Sequence, residues 1–280
     1  MHRLTASAIV ISTLIQSCAQ AASVDDLLKE ARAAAAKGQV SEALGLAGRA
    51  IAQQPMNAEA YAFRGSLLAS LRRPADAVAD FDKALASDPK FVAVYHLRGQ
   101  ELFKLSRFDE SVADFDKFLE ARPSERPRHW QRGISCYYAG KFREGAEQFE
   151  AYQAIDTNDV ENAVWRFICQ ARSEGIDKAR ASLLKVGSDK RIPLMEVYAL
   201  FGGKSRPADV LAAVKAGKPT PEELRTRLFY AHLYLGLYFE VMGDPKLALD
   251  HFTSAAENYE NYGYMGEVAR VHRDRLKRKN

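Results

Sequence analysis

Apolar and small positions recur along this chain on two scales. Within short stretches they fall three and four residues apart, as in Tyr61, Gly65 and Leu68 and then Ala77, Phe81 and Ala84. Such spacing puts each set on one face of a helix. The sets themselves return at one fixed step: Gly65, Gly99 and Gly133; Phe81, Phe115 and Phe149; Ala43, Ala77, Ser111 and Gly145; Pro55, Pro89 and Pro123. Glycine and alanine let two helix axes approach, the aromatic ring fills the space beside them, and the proline stops the second helix. A constant step of about 34 residues means a helix pair stacked on copies of itself.

Register places four units within residues 22–159, at 24–57, 58–91, 92–125 and 126–159. The first is the weakest, with Ala31 at the glycine position. In the fourth the large aromatic has moved to Trp130, and Asp156-Thr157-Asn158-Asp159 replaces the proline as a helix-breaking and capping run. Residues 160–228 read as degenerate helical units, with Val164, Phe167 and Ala171 on one helix, Ala179 to Leu184 on another, and a loop from Gly202 to Pro207. A clean unit returns over 229–262, carrying Gly236, Ala248 and Phe252. The segment 263–280 predicts a basic capping helix with Met265, Val268, His272 and Leu276 as its apolar stripe. These registers resemble the tetratricopeptide repeat (TPR) family. The resemblance implies an all-α fold: a right-handed superhelical TPR solenoid of stacked antiparallel helix pairs with a C-terminal capping helix.

Positions 1–21 read as a targeting segment, a signal peptide. Arg3 precedes an apolar stretch from Leu4 to Ile15, and small residues follow. Two processing patterns are both open. Ala19-Gln20-Ala21 before Ala22 suits ordinary signal peptidase, whereas Ile15-Gln16-Ser17-Cys18 resembles a lipobox that would make Cys18 a lipid attachment site. Either predicts export. Beyond this segment no uncharged run is long enough to cross a bilayer as a helix. Cys136 and Cys169 stand at near-equivalent positions on successive units, either bridged or simply small buried apolar residues.

Candidate chemistry is sparse. Six histidines are scattered, with no His-Glu-x-x-His, Cys-x-x-Cys or Gly-x-Ser-x-Gly pattern. Gly203-Lys204-Ser205 resembles the end of a phosphate-binding loop, but Tyr198 stands where that loop needs glycine. No catalytic set, metal site or cofactor is expected. An enzyme with its site in the irregular stretch 186–228 is a rival that rests on irregularity alone.

Function then falls to surfaces. If Tyr95, Gly99 and Leu102 face the partner helix, the offset stripe His96, Gln100 and Phe103, with Lys104 beside it, faces the groove. The same register in the fourth unit gives Trp130, Ile134, Tyr137 and Tyr138. This aromatic patch is predicted to bind a protein or peptide partner. Assembly of a structural homo-oligomer, or cover by the chain's own later helices, are the competing uses. The formal charge of +4 is uneven, because the stretch 268–280 holds six basic side chains against Asp274. Arg270, Arg273, Lys277 and Arg278 there suit an anionic partner, or a solvated helix end whose cations oppose the helix dipole. Nucleic acid is disfavoured, since no recognition motif is present.

Arg132-Gly133 with Tyr137-Tyr138 and Gly140, then Tyr234-Leu235-Gly236, Tyr238 and Met242-Gly243-Asp244, resemble the later half of the bacterial TPR lipoproteins of the new lipoprotein I type. That likeness implies a homodimeric, periplasm-facing adaptor attached to the outer membrane, one that presents cell-wall enzymes to a protease. The expectation is therefore an exported scaffold that binds protein and performs no chemistry.

Overall fold

The computed structural model describes residues 22–259 and 263–279. The expected targeting segment, residues 1–21, with Cys18 and both processing patterns, lies outside them. Among the described residues the secondary structure is helical throughout, and no helix is long and apolar enough to cross a membrane. The chain divides into two compact bodies between Pro55 and Met56.

The first body is one helix pair, α1 (Val24–Ala36) and α2 (Val40–Gln53). Ser23 caps α1 by a reciprocal box with Asp26, satisfying N–H groups that the first turn leaves open. Leu27, Leu28, Ala31 and Ala34 of α1 are buried, as are Ala43, Leu46, Ala47 and Ala50 of α2. Alanine dominates this core because two helices that meet through methyl groups can lie close without a large filler.

The second body opens with three regular pairs: α3 (Ala58–Ser70) with α4 (Pro74–Ser87), α5 (Val92–Lys104) with α6 (Phe108–Ala121), and α7 (Trp130–Tyr138) with α8 (Phe142–Tyr152). The fixed step seen in the sequence has a steric cause. A methyl group built at Gly65 would come within 2.7 Å of the Phe81 ring, and one at Gly99 within 2.8 Å of Phe115. At Gly133 the ring is Phe149, at 2.7 Å. In every pair the aromatic ring of the second helix lies on the bare backbone of the first. A further register runs through charged residues: Arg64, Arg98, Arg132 and Arg166 stand on the same step. Arg64 binds Asp80 through both nitrogens at 2.7 Å, Arg98 binds Asp114 likewise, and Arg132 reaches Asp116 at 2.6 Å and Glu144 at 3.2 Å. The Arg64 and Arg98 forks tie first helix to second helix within a pair, whereas Arg132 joins α7 both to the preceding α6 through Asp116 and to α8 through Glu144.

Beyond α8 the pattern loosens. Asp159 caps α9 (Val160–Glu174) by accepting from Glu161 N and Asn162 N. α10 (Ile176–Ala181) is short, and an irregular strap, residues 182–193, follows it. The strap is tied down along its length. Gln153 donates to the Lys185 carbonyl at 2.8 Å, Ser188 N donates to Asn158 at 3.0 Å, and Val160 N donates to Asp189 at 3.3 Å. Then come α11 (Leu194–Phe201), α12 (Pro207–Ala213), α13 (Pro221–Val241), α14 (Pro245–Thr253) and α15 (Tyr264–Lys279). α13 begins at Pro221, ahead of the unit expected from residue 229, because Thr220 and Glu223 form a capping box there. The glycine-and-ring contact returns in this pair, with Phe252 2.8 Å from a methyl group placed at Gly236.

The later helices do not simply extend the row. α13 packs on α9, and α15 reaches α5. One apolar cluster therefore runs from Phe103 through Tyr138, Trp165 and Phe201 to Leu276.

Candidate functional site

The expected groove residues divide into three groups. Phe103, Ile134, Tyr137 and Tyr138 are buried, which corrects their placement on an open partner face. Phe103 stacks on Tyr264 of α15, with ring centroids 5.3 Å apart. The Tyr138 hydroxyl lies 2.8 Å from His272 Nδ1, and the Arg275 guanidinium sits over the Tyr138 ring. Tyr137 donates to Glu240 of α13. His96 and Gln100 are partly exposed but turned on each other and on His129, since His96 Nδ1 is 3.0 Å from His129 Nε2 and Gln100 Nε2 is 3.0 Å from His96 Nε2. Lys104 is held by the buried Glu101 at 2.5 Å. Trp130 is partly exposed and lines an open cavity, to which the buried Ile134 also contributes.

Glu240 is the hub of the closure. Its carboxylate meets Tyr137, His272 at 3.5 Å, Arg172 at 3.4 Å and Arg275 at 3.8 Å. Burial pushes its pKa up, but His272, Tyr137 and Arg275 outweigh this and hold it at about 2. One charged side chain thus pins α7, α9 and α15 to α13.

The expected anionic-partner patch is largely neutralised within the chain. Arg270 pairs with Glu267 at 2.5 Å, Arg273 with Glu257 at 3.1 Å and Asp274 at 2.8 Å, and Lys277 with Glu257 at 3.5 Å. Arg278 remains exposed. Cys136 and Cys169 are free, buried thiols. Burial raises both, Cys136 to about 11, so neither is a reactive thiolate. They flank Gly145, where a methyl group would meet Cys169 Sγ at 2.8 Å. This explains why the small-residue register ends in glycine.

An open cavity of about 360 Å³ lies in the second body. α7 contributes Trp130 and Ile134, and the end of α8 contributes Phe149 and Tyr152. Trp165 comes from α9, Tyr230 from α13, and Tyr264 and Met265 from the start of α15. Trp130, Tyr152, Tyr230 and Tyr264 keep part of their surface exposed. The polar edge is Asp159, Glu161 and Asn162 at the start of α9, with Arg191 delivered by the strap. Arg191 binds Asp159 at 2.9 Å, Glu161 at 2.5 Å and Asp189 at 2.6 Å. Glu161 also accepts from Tyr234 at 2.5 Å, yet burial keeps its carboxyl above the usual range, against the pull of Tyr234 and Arg191. Three buried polar atoms of lining residues have no hydrogen-bond partner: Trp165 Nε1, Asn162 Oδ1 and the Tyr264 hydroxyl. Asn162 spends its amide nitrogen on the Phe149 carbonyl at 2.8 Å.

Most of this site lies outside the periodic pattern of the sequence. Trp165, Glu161 and Arg191 come from the region where the period fails, Tyr230 from the start of the returning unit, and Tyr264 from the last helix. One signal was available: the chain has two tryptophans, and both line this cavity.

Comparison with known proteins agrees with the architecture. Residues 28–90 and 92–125 each match tetratricopeptide repeat families. These segments are therefore tetratricopeptide repeats; the matches end before the cavity residues begin. A tetratricopeptide repeat protein from Parabacteroides merdae superposes with a TM-score of 0.57 at 14% identity, over 89% of this chain and 98% of that one. MamA from Desulfovibrio magneticus superposes with a TM-score of 0.51 at 17% identity, over 56% of this chain and 89% of MamA. At such identities the likeness is one of fold. No curated protein sequence matches this chain.

Proposed function

We propose that this chain is a non-catalytic adaptor, exported to the bacterial envelope, that holds a protein partner at the aromatic cavity between α7, α9, α13 and α15. Tetratricopeptide repeats in general mediate protein–protein contacts, and this coarse assignment rests on the matched segments. The finer reading is carried by one observation. Four partly exposed aromatic residues, Trp130, Tyr152, Tyr230 and Tyr264, converge on one open cavity, while Phe103, Tyr137 and Tyr138 are covered by the chain's own later helices. Aromatic side chains offer large contact area with a polar handle, which is what anchors at interfaces use. The apolar stretch after Arg3 supports export, and the resemblance to the new lipoprotein I type supports an envelope adaptor that brings a cell-wall enzyme or protease to its partner.

The test is in-cell photo-crosslinking from Met265 at the cavity, with a matched probe at the exposed Lys117 on α6. A distinct protein captured only from Met265 supports the adaptor. Capture of a second copy of this chain makes the cavity an assembly surface, and capture of nothing removes the reading. Attachment is decided separately: a Cys18→Ser variant that keeps wild-type membrane fractionation shows that Cys18 carries no lipid anchor.

A further inference from the structure

The geometry points to a cationic side chain of the partner, lysine or arginine, as the occupant of this cavity; the inference rests on the adaptor reading above. Three features select the charge. First, the cavity is rich in acceptors: the Asp159 and Glu161 carboxylates, and Asn162 Oδ1, a buried acceptor without a partner. Second, the one cation among the described lining residues, Arg191, is already divided among three carboxylates, Asp159, Glu161 and Asp189. The cluster therefore keeps an excess of negative charge. Third, the walls are aromatic. Ring faces attract an ammonium or guanidinium group, and they do so more strongly once water is excluded.

The alternatives fit less well. An anion would face two carboxylates with no uncommitted cation. A wholly apolar side chain would leave Asn162 Oδ1 unmatched, and a buried polar atom without a partner is costly. A lysine or arginine resolves these together: its stem lies on Trp130 and Tyr264, and its head donates to Asn162 and Glu161. The unpartnered Trp165 indole N–H is then free to donate to a carbonyl of the same peptide. Arg191 shows that a guanidinium is stable at this edge, since the chain itself places one there.

Both tryptophans line the cavity, so intrinsic fluorescence of the full chain reads its occupancy directly. Titration with the N-acetyl amides of arginine and lysine, and with that of norleucine as the uncharged control, is expected to give saturable changes at least about tenfold tighter for the cationic pair. Glu161→Gln, which keeps an acceptor for Tyr234, should erase that preference while leaving norleucine unchanged. The ligand comparison on the unaltered chain stands even if the variant fails to fold. Norleucine binding as tightly as arginine would overturn the inference, as would saturation by N-acetylglucosamine alone or by none of the probes. Its failure is separable from that of the adaptor reading. A partner captured at Met265 together with no cationic preference sinks only the choice of side chain, whereas no capture at Met265 sinks the adaptor itself.

Discussion

The second body holds two kinds of helix packing side by side. From α3 to α8 the chain is held by contacts at short, repeated sequence distance. Arg64 with Asp80 and Arg98 with Asp114 are each 16 residues apart, as is Arg132 with Asp116. From α9 onward the decisive contacts are remote: Tyr234 with Glu161 at a separation of 73 residues, Tyr137 with Glu240 at 103, Tyr138 with His272 at 134. The regular region behaves as a row in which each pair needs only its neighbour. The later region is a closure, built of single bonds between elements that the sequence keeps far apart. A row can lose one pair and keep the next, whereas a closure depends on its hub.

The sharpest way to break this contrast is Glu240→Ala. It leaves His272, Arg172 and Arg275 around a vanished carboxylate, and removal of one partner of a buried ionic group costs about 3–5 kcal/mol. Urea unfolding should register that loss. Hydrogen exchange should show α13 and α15 opening while α3 and α4 keep their protection. Gly99→Val tests the row instead. A side chain there must displace the Phe115 ring, for which overpacking costs about 1–3 kcal/mol. Here protection should fall in α5 and α6, with α13 unaffected.

Acid probes both regions with smaller steps, since one titrating group changes stability by at most about 1.4 kcal/mol per pH unit. His129 in the row is depressed to about 4 by burial and by the neighbouring His96, and His232 in the closure to about 4 by burial and His251. A depressed pKa means the folded state holds fewer protons. Their contribution is whole above the ordinary value of 6.5 and is lost as pH falls through about 4. Glu240 adds a loss confined to the closure, running from its ordinary 4.5 down to about 2. Thermal melting between pH 7 and pH 3 should therefore decline throughout, and the decline below pH 4.5 should be steeper in wild type than in Glu240→Gln. The smallest effect belongs to Lys117→Ala. Its partner Glu120 is as exposed as itself, so urea unfolding of this variant should match that of wild type.

Much of the row could be read from the sequence. Gly65, Gly99 and Gly133 with Phe81, Phe115 and Phe149 name the contacts that the structure makes. The Arg64, Arg98, Arg132 and Arg166 register was equally available, although it is charged and escapes a search for apolar positions. The groove was harder. Periodicity grouped Phe103, Ile134, Tyr137 and Tyr138 as one groove-facing stripe, but the cover over Tyr137 and Tyr138, α13 and α15, comes from far along the chain. No local pattern carries that information.

The sequence by itself determined the helix pairs, their step and the small-against-aromatic contact inside each, because those depend on residues within one helix pair. Only the tertiary structure decided which apolar face stays open. Whether an aromatic is core or binding surface depends on what packs over it. Here the irregular strap carries Arg191 to the edge of one cavity, and the last helix seals the rest.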